Sequence, residues 1–411
     1  MLVRDHAKTL IATIAVLALL VLPIIGLPGW ALGLCCQVAV ALVLCQSYHL
    51  LLKQAGMLSF AHIVFSATAA YAVVHLLRSV TSLDSVWVVV LAPLLGGVAA
   101  AAMAWLMGWL ATWHGGTALA MITLGLGELA FLTAWMLPHA FGGESGLSAN
   151  RVGDRRALAF NLSALWQVYA VLWVYAVLST VALMAFLRTP LGLLARAVRD
   201  NATRLPFTGY EPRRIRHRVF VVAGFWAGVA GGMSVLHLEI ATPEMFNPLR
   251  TAQVLIFTFL GGMHALWGPI VGAVWMVLSH SLVSVWSRAW LLTLGVVFIV
   301  VVWAMPDGFT APHLWRRLRG DRSDIPHTVW CVFALVLTGF MGLLGVAWCL
   351  EMIYHLRLEA SLKVPLSLLG RPLDSADVDV WVGAGLWTAT ALVLFESIRR
   401  HAWPTAKVHR T

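Results

Sequence analysis

Apolar residues in this chain come as unbroken runs separated by short polar breaks, without the alternation of a half-buried strand. The runs cover roughly 10–28, 30–52, 56–77, 86–110, 117–138, 164–187, 219–238, 251–262, 266–286, 290–305, 328–350 and 380–398. A helix needs about 20 consecutive apolar residues to cross a hydrocarbon layer about 30 Å thick. The pattern therefore predicts an all-α, polytopic transmembrane helical bundle. The 251–262 run is too short to cross by itself, so it must borrow Asn247 to Arg250 or form a broken helix. The first run, LIATIAVLALLVLPIIGL, exceeds a signal-peptide core and leads into the next without a small-residue cleavage site. It is expected to be retained.

Composition sharpens this. Only 11% of the 411 residues are charged and 60% are hydrophobic, against about 25% charged in soluble domains. A net charge of +10 would suit nucleic acid, but its distribution points to membrane topology instead. With the amino terminus inside, the inner segments carry nineteen of the 28 lysines and arginines and the outer segments nine. Acids run the other way, so the positive-inside bias predicts both termini cytoplasmic. The five cysteines, Cys35, Cys36, Cys45, Cys331 and Cys349, all lie in apolar runs without metal-ligand spacing. They are read as small buried apolar side chains. Two carboxylates fall within runs. Glu396 has Arg399 and Arg400 three and four residues on, a local helical pair. Glu128, in ITLGLGEL, has no such neighbour. It is either a hydrogen-bonded group fixing a helix contact or a functional group.

Eight arginines lie between Arg188 and Arg218, in RTPLGLLARAVRDNATRLPFTGYEPRRIRHR. Thr189-Pro190 is a helix start, since Thr caps well and Pro suits the first helical position. Leu191, Leu194, Ala195 and Val198 then recur at helical spacing, which predicts a short amphipathic helix interrupted at Leu205-Pro206 and closed by Gly209. Charge alone leaves two readings open. The loop lies on anionic lipid, or it docks a soluble partner.

Four motifs bear on that choice. PLGLLARAVRDNATRLPFTGYEPRRIRHRVFVVAGFWAGVAGG, FLGGMHALWGPIVGA, LSFAHIVFSATAAY and FGGESGL, found between about residues 30 and 308, together resemble the membrane permease subunit of branched-chain amino acid ABC importers. The resemblance implies about ten family-like crossings, with two extra carboxy-terminal ones. It implies that Gly192, Arg196, Ala197, Arg199, Asp200, Asn201 and Gly209 form a coupling helix for separate ATP-binding subunits. A second homologous permease, an extracytoplasmic solute-binding protein and the lipid of a bacterial inner membrane are the other implied partners. Ser59, His62, Glu128 and the Gly142, Gly143, Gly146 loop are candidates for the translocation path. Gly261, Gly262, Trp267, Gly268 and Pro269 form a structural turn. The chain departs from the family at Ala202 and Leu205-Pro206-Phe207, and Ala61, Ala67 and Ala69 stand where glycines are expected.

The expected organisation is a permease domain over 1–308, a basic linker over 309–327 and an added hairpin with a tail over 328–411. No G-x-x-x-x-G-K-[ST] phosphate loop, nucleophile elbow or paired-histidine motif occurs in the sequence, so no catalysis, cofactor, metal or nucleic-acid partner is expected. The energy for transport would come from partner subunits. The rival class is an autonomous carrier or channel driven by an ion gradient, which broken helices and Glu128 would also serve. A cysteine placed at residue 200 of intact cells should react only with membrane-permeant maleimide. Labelling by an impermeant reagent would reverse the topology.

Overall fold

The computed structural model describes residues 28–79, 86–152, 162–263, 268–283 and 378–402, with short pieces at 291, 294–295, 298–299, 345, 348–349, 352–353, 366–368 and 371–373. The run at 10–27, the linker 309–327, most of 290–305 and 328–350, Trp267 and Cys331 lie outside the described residues. The chain divides into two units, Met1–Val277 and Leu278–Thr411.

The first unit is a helical bundle. Helix α1 spans Gly29–His49 and runs on as a π-turn, Leu50–Gln54. Then come α2 (His62–Ser79), α3 (Val86–Ala111), α4 (Thr117–Met136), α5 (Leu165–Phe186), α6 (Pro190–Asn201), α7 (Pro212–Leu238), α8 (Pro248–Gly261) and α9 (Gly268–Leu278). Five helical stretches among the described residues are long and apolar enough to cross a membrane: Gly29–Gln54, Trp87–Ala111, Thr117–Met136, Leu165–Phe186 and Pro212–Leu238. Helix α8 resolves the short run, because its 14 residues take in Pro248 to Arg250, with Asn247 accepting from Leu249 N as cap.

Helix α7 is the hub, packing on α3, α2 and α1. Lipid is as apolar as a leucine side chain, so helices in a membrane associate through close packing rather than through expulsion of water. The α7 sequence AGFWAGVAGG supplies that closeness. A Cβ at Gly224 would strike Ala104, one at Gly228 would strike Ala100, and one at Gly231 would strike the Ser66 carbonyl. Gly232 lies against Pro93, which α3 carries within its length, and the Tyr175 hydroxyl donates to Val90 O at 2.7 Å three residues before that proline. Gln46 on α1 donates to Thr180 Oγ1 on α5 at 2.9 Å, tying a second pair together. Cys36 and Cys45 are fully buried free thiols, as the apolar reading requires.

The α1–α2 connection departs from the expected continuous run at 56–77. Helix α2 begins only at His62, and residues 55–61 are irregular. Their backbone groups find partners elsewhere: Phe60 N donates to Thr123 Oγ1 at 3.1 Å, and Ile63 N to Thr251 Oγ1 at 3.3 Å. Hydroxyls from α4 and α8 thus cap α2 in place of a local residue. Irregular backbone inside a membrane bundle persists only when protein satisfies it in this way.

In the second unit, α10 covers Val378–Ala402, where Ala384 packs with Met352, Trp348, Cys349 and Trp381. Two short strands, Leu366–Leu368 and Arg371–Leu373, pair antiparallel within the polar segment expected between the last two crossings.

Gly228→Ala should cost about 1–3 kcal/mol through overpacking and lower the melting temperature in detergent. Gly125→Ala, with nothing near its added Cβ, should be neutral or gain up to about 1 kcal/mol from helix propensity.

Candidate coupling surface and translocation path

Helix α6 forms as its sequence requires. Thr189 Oγ1 accepts from Gly192 N at 3.3 Å, Pro190 takes the first position, and Gly192, Ala195 and Val198 face the bundle. A Cβ at Gly192 would collide with Phe186 O and Leu187, so the motif glycine lets α6 turn back tightly against the end of α5.

Two arginines then fasten the helix. Arg196 Nη2 donates to Leu187 O at 2.6 Å, and Leu187 is the carboxy-terminal cap of α5. Arg199 Nη1 donates to Lys53 O at 2.8 Å, within the final turn of α1. Both guanidinium groups therefore sit where helix carbonyls lack partners and the helix dipole is negative. Asp200 holds Arg199 in place, accepting from Nε at 2.9 Å and Nη2 at 2.7 Å. Gly56, at φ +65°, comes so close to the Arg199 side chain that a Cβ would lie 2.7 Å from Cγ. Asn201 Oδ1 accepts from Thr203 N, Thr203 Oγ1 and Arg204 N, closing the turn after α6. A cavity of about 360 Å³ remains between α6, Ala55–Met57, Gly115-Gly116 and Arg216.

What α6 and its turn leave outside is equally specific. Leu193 is 56% exposed, Phe207 91% and Tyr210 49%, with Ala197, Asp200 and Arg204 also exposed. Gly209, at φ +81°, closes the 3₁₀ turn Leu205–Thr208 that displays Phe207. The sequence reading placed Arg196 and Arg199 among the docking residues. In the structure their guanidinium groups bind this chain's own carbonyls, and the bare apolar side chains are Leu193 and Phe207. In the sequence Phe207 stands out only as part of the Leu205-Pro206-Phe207 departure from the family pattern. An aromatic residue beside Pro in an arginine-rich loop was the available signal.

The candidate path residues do not meet in one place. Ser59 and His62 are buried, and the Tyr48 hydroxyl donates to Ser59 O at 3.1 Å. Ser47 Oγ donates to Leu44 O at 2.7 Å and lies 2.9 Å from His62 Nε2. Since the one serine proton goes to Leu44, His62 Nε2 is the donor of that pair. Its Nδ1 is then a buried lone pair without a partner, like Ser59 Oγ. Glu128, in contrast, stands exposed on α4, next to exposed Gly125, Leu129 and Leu132.

Gly142, Gly143 and Gly146 all adopt positive φ in the loop after α4. That loop leads into β1 (Leu147–Ser148), which pairs antiparallel with β2 (Ile240–Ala241) after α7. Tyr71 stacks on Phe246, donates to Phe141 O at 3.0 Å and so anchors both segments to α2. Arg151 pairs with Glu239 at 3.4 Å. The glycine loop is therefore one half of a small folded cap. Gly261, Gly262, Gly268 and Pro269 bring α8 and α9 together backbone to backbone, since a Cβ at Gly261 would strike Gly268 O.

Against known families, residues 31–303 match the model described as branched-chain amino acid transport system / permease component. Two similar proteins are the high-affinity branched-chain amino acid transport system permease protein LivM of Escherichia coli K12 and its namesake from Salmonella typhimurium LT2. Each is 28% identical over 244 residues, covering 54% of this chain and 57% of the relative. The chain thus spans little more than half the length of these curated relatives. No solved structure matches.

Replacing Arg196 and Arg199 together by Ala should free α6 from the helix ends. Trypsin cleavage after Arg204 should then speed up several-fold, with the Lys,Lys variant in between. An unchanged rate would mean the carbonyl contacts do not hold α6.

Proposed function

Because the chain belongs to the branched-chain amino acid transport system permease family, we propose that it is the membrane permease subunit of an ATP-driven importer in a bacterial inner membrane. Its solutes are branched-chain amino acids or related small molecules. It forms half of the path, beside a second homologous permease, and carries no catalytic centre of its own. Two ATP-binding subunits dock from the cytoplasm and an extracytoplasmic binding protein delivers solute from the other side. Both termini are cytoplasmic, with about ten family-like crossings followed by a two-helix addition.

The observation that carries this reading is α6 itself. It is a short helix fastened to the ends of α1 and α5, yet it leaves Leu193 and Phe207 bare. A lipid-bound loop gains from its positive charges and has no need of arginines bonded inward. A docking helix needs both a firm base and an apolar tip, because a buried aromatic anchor supplies much of the energy of an interface. Glu128 supports the two-permease arrangement. A mid-span carboxylate on the outer face of α4 is costly against lipid and tolerable along a shared, hydrated path.

Phe207→Asp should reduce co-purification of the ATP-binding subunits, and ATP-dependent uptake in proteoliposomes, by more than about tenfold, the loss of an anchor worth about 2 kcal/mol. Insertion of the chain into the membrane should be unaffected. Gradient-driven uptake by the chain alone, unchanged in this variant, would favour the autonomous carrier.

A further inference from the structure

A second cavity, of about 330 Å³, lies at the start of α7, between Trp105 and Trp109 of α3 and Glu211, Arg213, Arg214, His217 and Arg218. Its composition is unlike that of the coupling surface. Trp105 and Trp109, four residues apart, share one face of α3, and Trp113 follows in the turn just beyond its end. They are exposed to nearly the same degree, 57%, 57% and 56%. Arg213 stacks on Trp113, with its guanidinium carbon 3.3 Å from the ring centroid, and Trp105 meets the His217 ring edge-on.

The charges in this cavity are unbalanced. Glu211 is its one carboxylate and is already paired with Arg214 at 2.6 Å. Arg214 and Arg218 are one helical turn apart on α7, where like charges repel, and Arg218 has no acidic partner among the described residues. Along α3, away from these arginines, Leu91, Leu95 and Val98 are exposed. A cationic mouth, indole rings beside it and a bare apolar strip leading away match an amphiphile that carries a phosphate at one end. Tryptophan is enriched at the depth of lipid headgroups, and basic pockets between membrane helices on the cytoplasmic side take anionic headgroups.

We propose that this cavity is a specific site for an anionic phospholipid of the cytoplasmic leaflet. Arg213, Arg214 and Arg218 receive the phosphate, Trp105 and Trp109 flank the glycerol region, and the acyl chains run along α3. The site rests on the cytoplasmic placement of the 188–218 loop and is independent of docking to an ATPase. By bringing negative charge to Arg218, which Glu211 leaves without an acidic partner, the lipid steadies the start of α7.

The test is native mass spectrometry of the full chain purified in detergent and titrated with phosphatidylglycerol, phosphatidylcholine or inorganic phosphate. We expect one phosphatidylglycerol to be retained at least tenfold more tightly than phosphatidylcholine, and no competition from millimolar phosphate. The Arg213→Ala, Arg218→Ala double variant should lose that preference. The matching Lys,Lys variant should keep most of it, and Phe207→Asp all of it. Equal retention of the two lipids, or an unchanged preference in the Ala,Ala variant at wild-type melting temperature, would overturn the assignment. Displacement by free phosphate would make this a soluble-anion site and overturn it too. Protection of Trp105 and Trp109 by an added protein partner, in place of lipid, would do the same.

Discussion

Two guanidinium groups at two helix ends organise this molecule. The last carbonyls of a helix have no partner within it, and in a membrane bundle those ends must meet water, a side chain or another helix. Here α1 and α5 stop at the same level, and α6 lays Arg196 on the end of one and Arg199 on the end of the other. A loop with eight arginines thereby acquires a fixed shape. The same two residues that satisfy the helix ends prevent α6 from drifting along the membrane surface.

That base connects to the centre of the bundle through α7. This helix starts among arginines at Pro212 and ends at Leu238, buried by small residues against α3 and α2. Its glycines allow backbone contact where lipid offers no driving force for association. A displacement applied to α6 therefore reaches the most enclosed of the five long apolar helices among the described residues, through close backbone contacts. This mechanical continuity is what the proposed importer subunit needs, since it would be moved by a partner outside the membrane.

Much of the fold was legible because apolar run length translates directly into helix length. The runs at 30–52, 86–110, 117–138 and 164–187 correspond to α1, α3, α4 and α5 within a few residues. Helix α6 was legible from Thr189-Pro190 and its amphipathic spacing. The failures are also physical. Helix α7 begins at Pro212 rather than 219, because hydropathy cannot see a helix that starts in water among arginines. The late start of α2 depends on Thr123 and Thr251, which cap it from 60 and more positions away in sequence. The inward turn of Arg196 and Arg199 was hidden for the same reason, since their acceptors are main-chain carbonyls that carry no residue signature. Among the path candidates, Ser59 and His62 are enclosed while Glu128 is exposed, a division that hydropathy could not supply.

The central claim is that α6 and the bundle move as one body when an external motor acts. Spin labels at Ala197 and His114, both exposed, report the separation of α6 from the end of α3 by pulsed electron resonance. With the ATP-binding subunits present, that distance should stay the same in the nucleotide-free, ATP-bound and post-hydrolysis states. A separation that changes by several ångströms between those states would show that α6 slides on the bundle, and would contradict the account.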